Sequence, residues 1–347
     1  MHPTIERRRF KKNPVLRRGI TVIEVLVSIA IVSLLLAITL PALQSVREIS
    51  RRANCESNIR QLVHGLMNYH ETHQSLPPSR VGSLDPTVLP DLGLTFLFPF
   101  LEIPNRQYLI QSGVGHVTLL ECPSDGDLST VQQPVSYAIN ESPGMGSGSP
   151  FNGPFGSTIT TSGYDSRTAV KLSQITDGLS STAAISEGLV FRAGGTEAAA
   201  VQSPARYGFY VTVPPVSATT RQFPLSAAAL AERSDQAAAS IRDCLSGPRR
   251  FIAQSAPSIT SWGLVQNGPV GYTHWWQPNS PGCGSLNNAP DGGFVGLNNR
   301  AASAHTDGVN VAFLDGHVRF VSSQIDVNVW RSLGTRDGSE PVSEGSY

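Results

Sequence analysis

The run ITVIEVLVSIAIVSLLLAITL, residues 20–40, contains a single ionisable group, Glu24. At about 1.5 Å per residue it spans roughly 31 Å as a helix, enough to cross the hydrocarbon core of a bilayer. After Pro41 the pattern changes. Leu43, Val46, Ile49, Ala53, Ile59, Leu62, Leu66 and Tyr69 recur mostly at intervals of three or four, one face of a helix. Arg47, Arg51, Arg52, Glu56 and Arg60 fill much of the remainder, and Pro77-Pro78 closes the pattern. One helix from residue 20 to about residue 75 is predicted, roughly 84 Å long. Its first half, 20–40, suits a membrane; its second, the amphipathic stalk 41–76, suits packing on a globular head.

Beyond residue 77 short β-prone runs (94–101, 117–120 and 207–213) sit among Gly, Pro, Ser and Asn. They predict a large β-rich, loop-rich head, so the fold class is α+β. Segments 151–163 and 194–224 read as insertions or surface loops, and the Ala-rich stretch 226–245 as a helix closed by Gly247. No fixed-period repeat is found. Near the C-terminus, within 305–321, two alternating runs flank Asp315-Gly316, which predicts a hairpin with a type I′ turn.

Composition supports this division. With 32 Gly, 25 Pro, 40% hydrophobic and 15% charged residues, the chain has apolar content for a core and the turn content of a β protein. Wholesale disorder and a coiled-coil rod are excluded. The formal net charge is zero only in total. Arg7, Arg8, Arg9, Lys11, Lys12, Arg17 and Arg18 face one acid, Glu6, in the leader 1–19, leaving the rest with 19 basic and 25 acidic groups, a net of −6. No nucleic-acid partner is expected of such a surface. The basic leader stays cytoplasmic by the positive-inside rule, placing everything after Pro41 outside the cytoplasmic membrane.

Three readings of the apolar run compete: a signal peptide, a plain anchor and a prepilin leader. A signal peptide has a shorter apolar region and a small-residue cleavage site, and none follows Thr39. A plain anchor leaves Glu24 as a side chain that snorkels at the helix end, since a charge inside hydrocarbon needs a reason. The stretch RRG-ITVIE closely resembles the processing site of prepilins. That resemblance implies cleavage between Gly19 and Ile20 by a prepilin peptidase, which also methylates Ile20. It gives Glu24 the place of the glutamate that pairs with the N-terminal amine of a neighbouring subunit in type IV pilins and type II secretion pseudopilins. Pro41 resembles the helix-bending proline of pilin stalks, and Ile20 departs from the more usual Phe or Met.

Further segments resemble, in order, one bacterial family of pilin-like proteins of unassigned function with an N-terminal methylation motif and a C-terminal H-x9-DG motif. They are RRANCESNIRQL (51–62), NYHETHQSLPP (68–78), CPSD (122–125), SYAIN (136–140), NGPF (152–155), ITDGLSSTAAISE (175–187) and His305 followed after nine residues by Asp315-Gly316. The resemblance implies a non-enzymatic, membrane-anchored structural subunit of a type II secretion or pilus-like assembly, whose partners are other pilin-like subunits. The runner-up is a monomeric membrane-tethered module that binds a solute or glycan.

Cys55, Cys122, Cys244 and Cys283 show no C-x-x-C spacing, and four cysteines allow three pairings. Cys55 with Cys122, tying the stalk to the head, and Cys244 with Cys283 is the favoured pairing; free buried thiols are the alternative. His70-Glu71-Thr72-His73 falls one position short of H-E-x-x-H and reads as a helix end. Asp125 and Asp127, or Asp177 with Glu187, are weak candidates for calcium; no EF-hand spacing supports them, and turn chemistry explains them better. His305, Asp307, Asp315 and His317 form a weak metal candidate, because a hairpin keeps parts of that segment close. His274-Trp275-Trp276 reads either as a sugar-stacking platform or as core and rim of a packed strand. No Walker A loop, G-x-S-x-G elbow or complete zincin motif occurs.

Overall fold

The computed structural model describes residues 21–81, 91–105, 108–109, 112, 115–126, 128–129, 133–142, 153–155, 158–160, 163–165, 169–190, 209–210, 271–274, 276–280, 283–284, 300–338, 345 and 347. The leader with Gly19 and Ile20, the Ala-rich stretch 226–245, Cys244, Asp127, Trp275 and the Cys283 side chain lie outside them. The chain divides into two compact units, Met1–Ile49 and Ser50–Tyr347.

Helix α1 spans Val22–His73 as one element. Thr21 and Glu24 form a capping box at its start. The Glu24 carboxylate accepts from the Thr21 backbone N–H and hydroxyl, both at 2.8 Å. Pro41 lies inside the helix, where it donates no hydrogen bond. In the first unit the large apolar residues of α1 are exposed, from Val22 at 78% to Ile49 at 68%. In the second unit Cys55, Ile59, Leu62, Val63 and Leu66 are wholly buried; Ile59, Leu62 and Leu66 belong to the predicted stripe, Cys55 and Val63 widen it, and Ala53 is exposed.

The second unit is built on a five-stranded mixed sheet. Its strands are β1 (Tyr137–Ser142), β2 (Ala183–Glu187), β3 (Gly271–Thr273), β4 (Gly308–Phe313) and β5 (Val318–Ser322), in the order β5-β4-β2-β1-β3. All pairs are antiparallel except β1 with β3. Ile185 faces Ala312 on one side and Ile139 on the other, which fixes the register of the three central strands. Side chains alternate along a strand, so each face buries its own set. Tyr137, Ile139, Ile185 and Ala312 join the α1 stripe in one core. Val309, Val311, Phe313 and Val321 form a second core with Tyr272, Trp330 and Leu333. Trp330 belongs to helix α2 (Val327–Ser332), which Asp326 caps by accepting from the N–H groups of Asn328 and Val329.

Several expected strands are not strands. Segments 94–101 and 117–120 are 3-10 helices, Gly93–Phe100 and Thr118–Leu120. The first buries consecutive residues, Gly93, Leu94 and Thr95 and then Leu97 and Phe98, rather than alternate ones, and Pro99 cannot donate to a ladder. A short apolar run does not tell a strand from a helix by period alone. Of 207–213, only Phe209–Tyr210 is described as strand, pairing in parallel with Cys283–Gly284. The expected surface loop 151–163 contains Phe155 at 0% exposure in the α1-side core.

The hairpin is present, but its turn is not type I′. Gly316 has φ 95° and Asp315 has no positive φ, whereas type I′ needs both. The loop is Leu314-Asp315-Gly316, closed by Gly316 N–H to Phe313 O at 3.0 Å and Phe313 N–H to His317 O at 2.9 Å. Burial of Leu314 at 0% draws it into the core and lengthens the turn by one residue.

His274 follows β3 and is wholly buried, so its reading as a sugar-stacking surface is replaced by a core one. Its ring stacks on Trp330 with centroids 3.9 Å apart. Nδ1 donates to the Trp330 carbonyl at 2.7 Å, so Nε2 accepts from the Tyr272 hydroxyl at 3.0 Å. Burial pushes the imidazole down to about 3, and the same burial keeps the Tyr272 phenol protonated. A depressed histidine pKa stabilises the fold fully above the unfolded value of about 6.5 and loses that contribution as pH falls toward the folded value. The stability gap between wild type and His274→Gln, read from urea midpoints, is therefore expected to shrink from pH 7 to about pH 4. A gap independent of pH would contradict this assignment.

Candidate functional site

The densest polar chemistry among the described residues lies on the α1 side of the sheet. Cys55, on α1, is joined by a disulfide to Cys122, with Cα atoms 5.0 Å apart. Cys122 directly precedes the 3-10 helix Pro123–Asp125. Glu187 is the last residue of β2, and His305 lies just ahead of β4. His305 Nε2 is 3.1 Å from Glu187 Oε1, and Cys122 Sγ is 3.8 Å from His305 Nε2 and 3.9 Å from Glu187 Oε1. Glu187 is 1% exposed and His305 4%.

A carboxylate buried this deeply is tolerated only when donors surround it. Asn310 supplies two, its backbone N–H to Oε2 at 2.8 Å and its Nδ2 to Oε1 at 3.0 Å. Asn310 points to this face because Val309 and Val311, on either side of it in β4, point to the other. The segment carrying His305 is pinned as well. Its N–H donates to Ser303 Oγ at 3.1 Å, Ser303 Oγ donates to the Gly308 carbonyl at 2.6 Å, and Asp307 turns the chain at φ 66°.

The loop carrying Cys122 is tied down independently of the disulfide. Asp125 Oδ2 accepts from the Val190 N–H at 2.8 Å and the Ser136 hydroxyl at 3.1 Å. Asn58 Nδ2, on α1, donates to the Glu121 carbonyl at 3.1 Å and to the Tyr137 hydroxyl at 3.3 Å. Burial pushes the Tyr137 phenol up, so it stays neutral beside Glu187 and Asp125. A groove of about 560 Å³ opens beside this loop, lined by Asn54, Asn58, His116, Glu121, Cys122 and Leu128. In it His116 Nδ1 meets Glu121 Oε1 at 3.0 Å.

The four clustered residues come one each from RRANCESNIRQL, CPSD, ITDGLSSTAAISE and the H-x9-DG segment. Among the described residues the other weak metal candidates form no second such group, and Asp127 lies outside those residues. His305 and Asp315 flank opposite ends of β4, roughly 20 Å apart at strand rise. Asp315 Oδ1 instead accepts from the ring Nδ1 of His317 at 2.6 Å on the exposed turn. Asp177 Oδ2 accepts from Thr335 Oγ1 at 2.7 Å and Gly338 N–H at 2.8 Å, away from Glu187. Asp125 is turned inward, and His73 ends α1 stacked on Tyr69. Sequence reading named Glu187 only as an oxygen ligand and missed Asn310 entirely. A polar residue inside the apolar run VNVAF, between Val309 and Val311, was the available signal.

This is an α+β protein with one N-terminal helix long and apolar enough to cross a membrane and a sheet whose buried Glu-His pair abuts a disulfide. A family model, SBP_bac_10, described as a protein of unknown function (DUF1559), matches residues 44–328, and the chain belongs to that family. The match begins within α1, after the apolar run, and includes all four clustered residues. No curated protein and no solved structure shows a significant match to the chain.

Removal of the Glu187 carboxylate strands the Asn310 donors and His305 in the core. Glu187→Ala is expected to cost about 3–5 kcal/mol in urea unfolding with the disulfide intact. Glu187→Gln, which keeps an acceptor for the Asn310 N–H, is expected to cost less. A loss below about 1 kcal/mol for Glu187→Ala would mean the pair carries little of the fold.

Proposed function

We propose that this protein is a prepilin-like subunit of a type II secretion or pilus-like assembly, anchored in the bacterial cytoplasmic membrane with its head outside. Its role is structural rather than catalytic. In this reading a prepilin peptidase and methylase cuts after Gly19 and methylates Ile20, and residues 20–40 hold the chain in the bilayer. The observation that carries it is the first half of α1, whose apolar residues are exposed around one carboxylate, Glu24. Exposed Leu, Ile and Val over five turns are stable only in lipid or against other helices. The basic leader and the RRG-ITVIE pattern supply orientation and processing signal.

In the single chain Glu24 serves Thr21 as a capping box, so an unassembled subunit leaves no bare carboxylate. In an assembly the N-terminal amine of a neighbour competes for the same oxygens, and the pairing sets axial register. A second reading, a tethered module that binds a solute or glycan, is favoured by the groove beside Cys122.

Intact mass and N-terminal sequencing of the protein from its native membrane are expected to show a chain beginning at N-methyl-Ile20. A chain beginning at Met1 would leave a plain anchor. Glu24→Ala is expected to spare membrane insertion and abolish co-isolation with other pilin-like subunits in cross-linked membranes. Unchanged co-isolation would favour the tethered module.

A further inference from the structure

The disulfide, the carboxylate and the imidazole described above also bring together a candidate ligand set. The candidate ligand atoms of Cys55, Cys122, Glu187 and His305 all lie within 4.8 Å of one another. They are two sulfurs, one nitrogen and one oxygen, a set that suits zinc-like cations and not calcium or magnesium. In a tetrahedral zinc site, ligand bonds of about 2.0–2.3 Å place N and O about 3.4 Å apart and S about 3.6 Å from either. The observed separations are 3.1 Å for His305 Nε2 to Glu187 Oε1, 3.8 Å for Cys122 Sγ to His305 Nε2 and 3.9 Å for Cys122 Sγ to Glu187 Oε1. We propose that the reduced protein binds one zinc-class divalent cation through Cys55, Cys122, Glu187 and His305, so that disulfide and metal are alternative occupants of one site.

The conversion balances. An external dithiol gives two electrons and two protons to the Cys55–Cys122 disulfide and is itself oxidised to a disulfide. The cation then displaces the two thiol protons and binds two thiolates, the Glu187 carboxylate and the His305 imidazole as its Nδ1–H tautomer. Sulfurs freed from their bond separate to ligand spacing without rebuilding the head. Asn58 to the Glu121 carbonyl, Asp125 to Ser136 and Val190, and the Tyr137 hydroxyl to the Cys55 carbonyl hold α1 and the Cys122 loop in place.

The surroundings are those of a metal site in two further respects. Asn310 fixes the Glu187 carboxylate from outside the ligand set, the arrangement by which outer groups orient ligands. The groove lined in part by Cys122, His116 and Glu121 lies against the Cys122 side of an otherwise buried cluster. This inference does not rest on the pilin-like reading, since all four residues lie in the second unit.

The test is titration of the full-length protein in detergent with Co2+, after reduction by a phosphine under anaerobic conditions. Circular dichroism of each sample checks that the fold is kept. The reduced wild type is expected to bind one Co2+ per chain, with thiolate-to-cobalt charge-transfer absorption and intense tetrahedral ligand-field bands. Oxidised protein and Cys55→Ser/Cys122→Ser are expected to show neither. His305→Asn and Glu187→Gln are expected to weaken binding more than about tenfold, and Asn310→Ala by about 10–100-fold, as for an outer-shell group. Three results would each overturn the proposal: no charge-transfer band in folded, reduced wild type; a band unaltered in folded His305→Asn and Glu187→Gln, which would mean two cysteines binding alone; or loss of the fold on reduction that Co2+ does not prevent.

Discussion

One buried carboxylate organises the second unit. Glu187 ends β2 in the middle of the sheet, where an unpaired charge is not tolerated, and its oxygens are taken by Asn310 of β4 and His305 ahead of it. That requirement fixes which face of β4 carries Asn310, and with it the burial of Val309, Val311 and Phe313 on the other side. A one-residue slip of β4 would turn a valine toward the carboxylate and Asn310 into the second core. The same carboxylate and imidazole lie against the Cys55–Cys122 disulfide. A link between α1 and the Cys122 loop, a strand register and a buried Glu-His pair therefore share one small volume.

Each core has its own polar centre, and the two are chemically different. The second core is closed by a neutral histidine, His274, stacked on Trp330 and hydrogen-bonded to Tyr272, with both ring nitrogens engaged. The α1-side core is closed by a carboxylate, an imidazole and a disulfide. Structural rigidity explains the first fully. The second holds more coordinating power than packing alone requires.

Long-period features were legible in the sequence. The 20–40 run and the three-four spacing of Ile59, Leu62 and Leu66 gave one helix with two environments, and the alternation around Asp315-Gly316 gave the hairpin. Short apolar runs were not legible. GLTFLFPF has strand composition and folds as a 3-10 helix, because packing against the core rather than local preference decides a run of that length. The turn type was misread for a related reason: Leu314 is buried, and its anchoring converts a two-residue turn into a three-residue one. At the site, the Cys55–Cys122 pairing was legible, whereas its grouping with Glu187 and His305 and the part of Asn310 were not. His305 was read with Asp315, its neighbour in the motif, yet its partner is Glu187, 118 residues away. Spacing along the chain carries no signal for a contact made across a sheet.

The disulfide and the Glu187–His305 pair share one buried volume and are expected to act as one unit. A double-mutant cycle in urea tests this directly, comparing Cys55→Ser/Cys122→Ser, Glu187→Gln and their combination. A coupling of at least about 1 kcal/mol is predicted, as found for residues that share one polar network. Additivity within about 0.3 kcal/mol would reduce the cluster to neighbours without a common role.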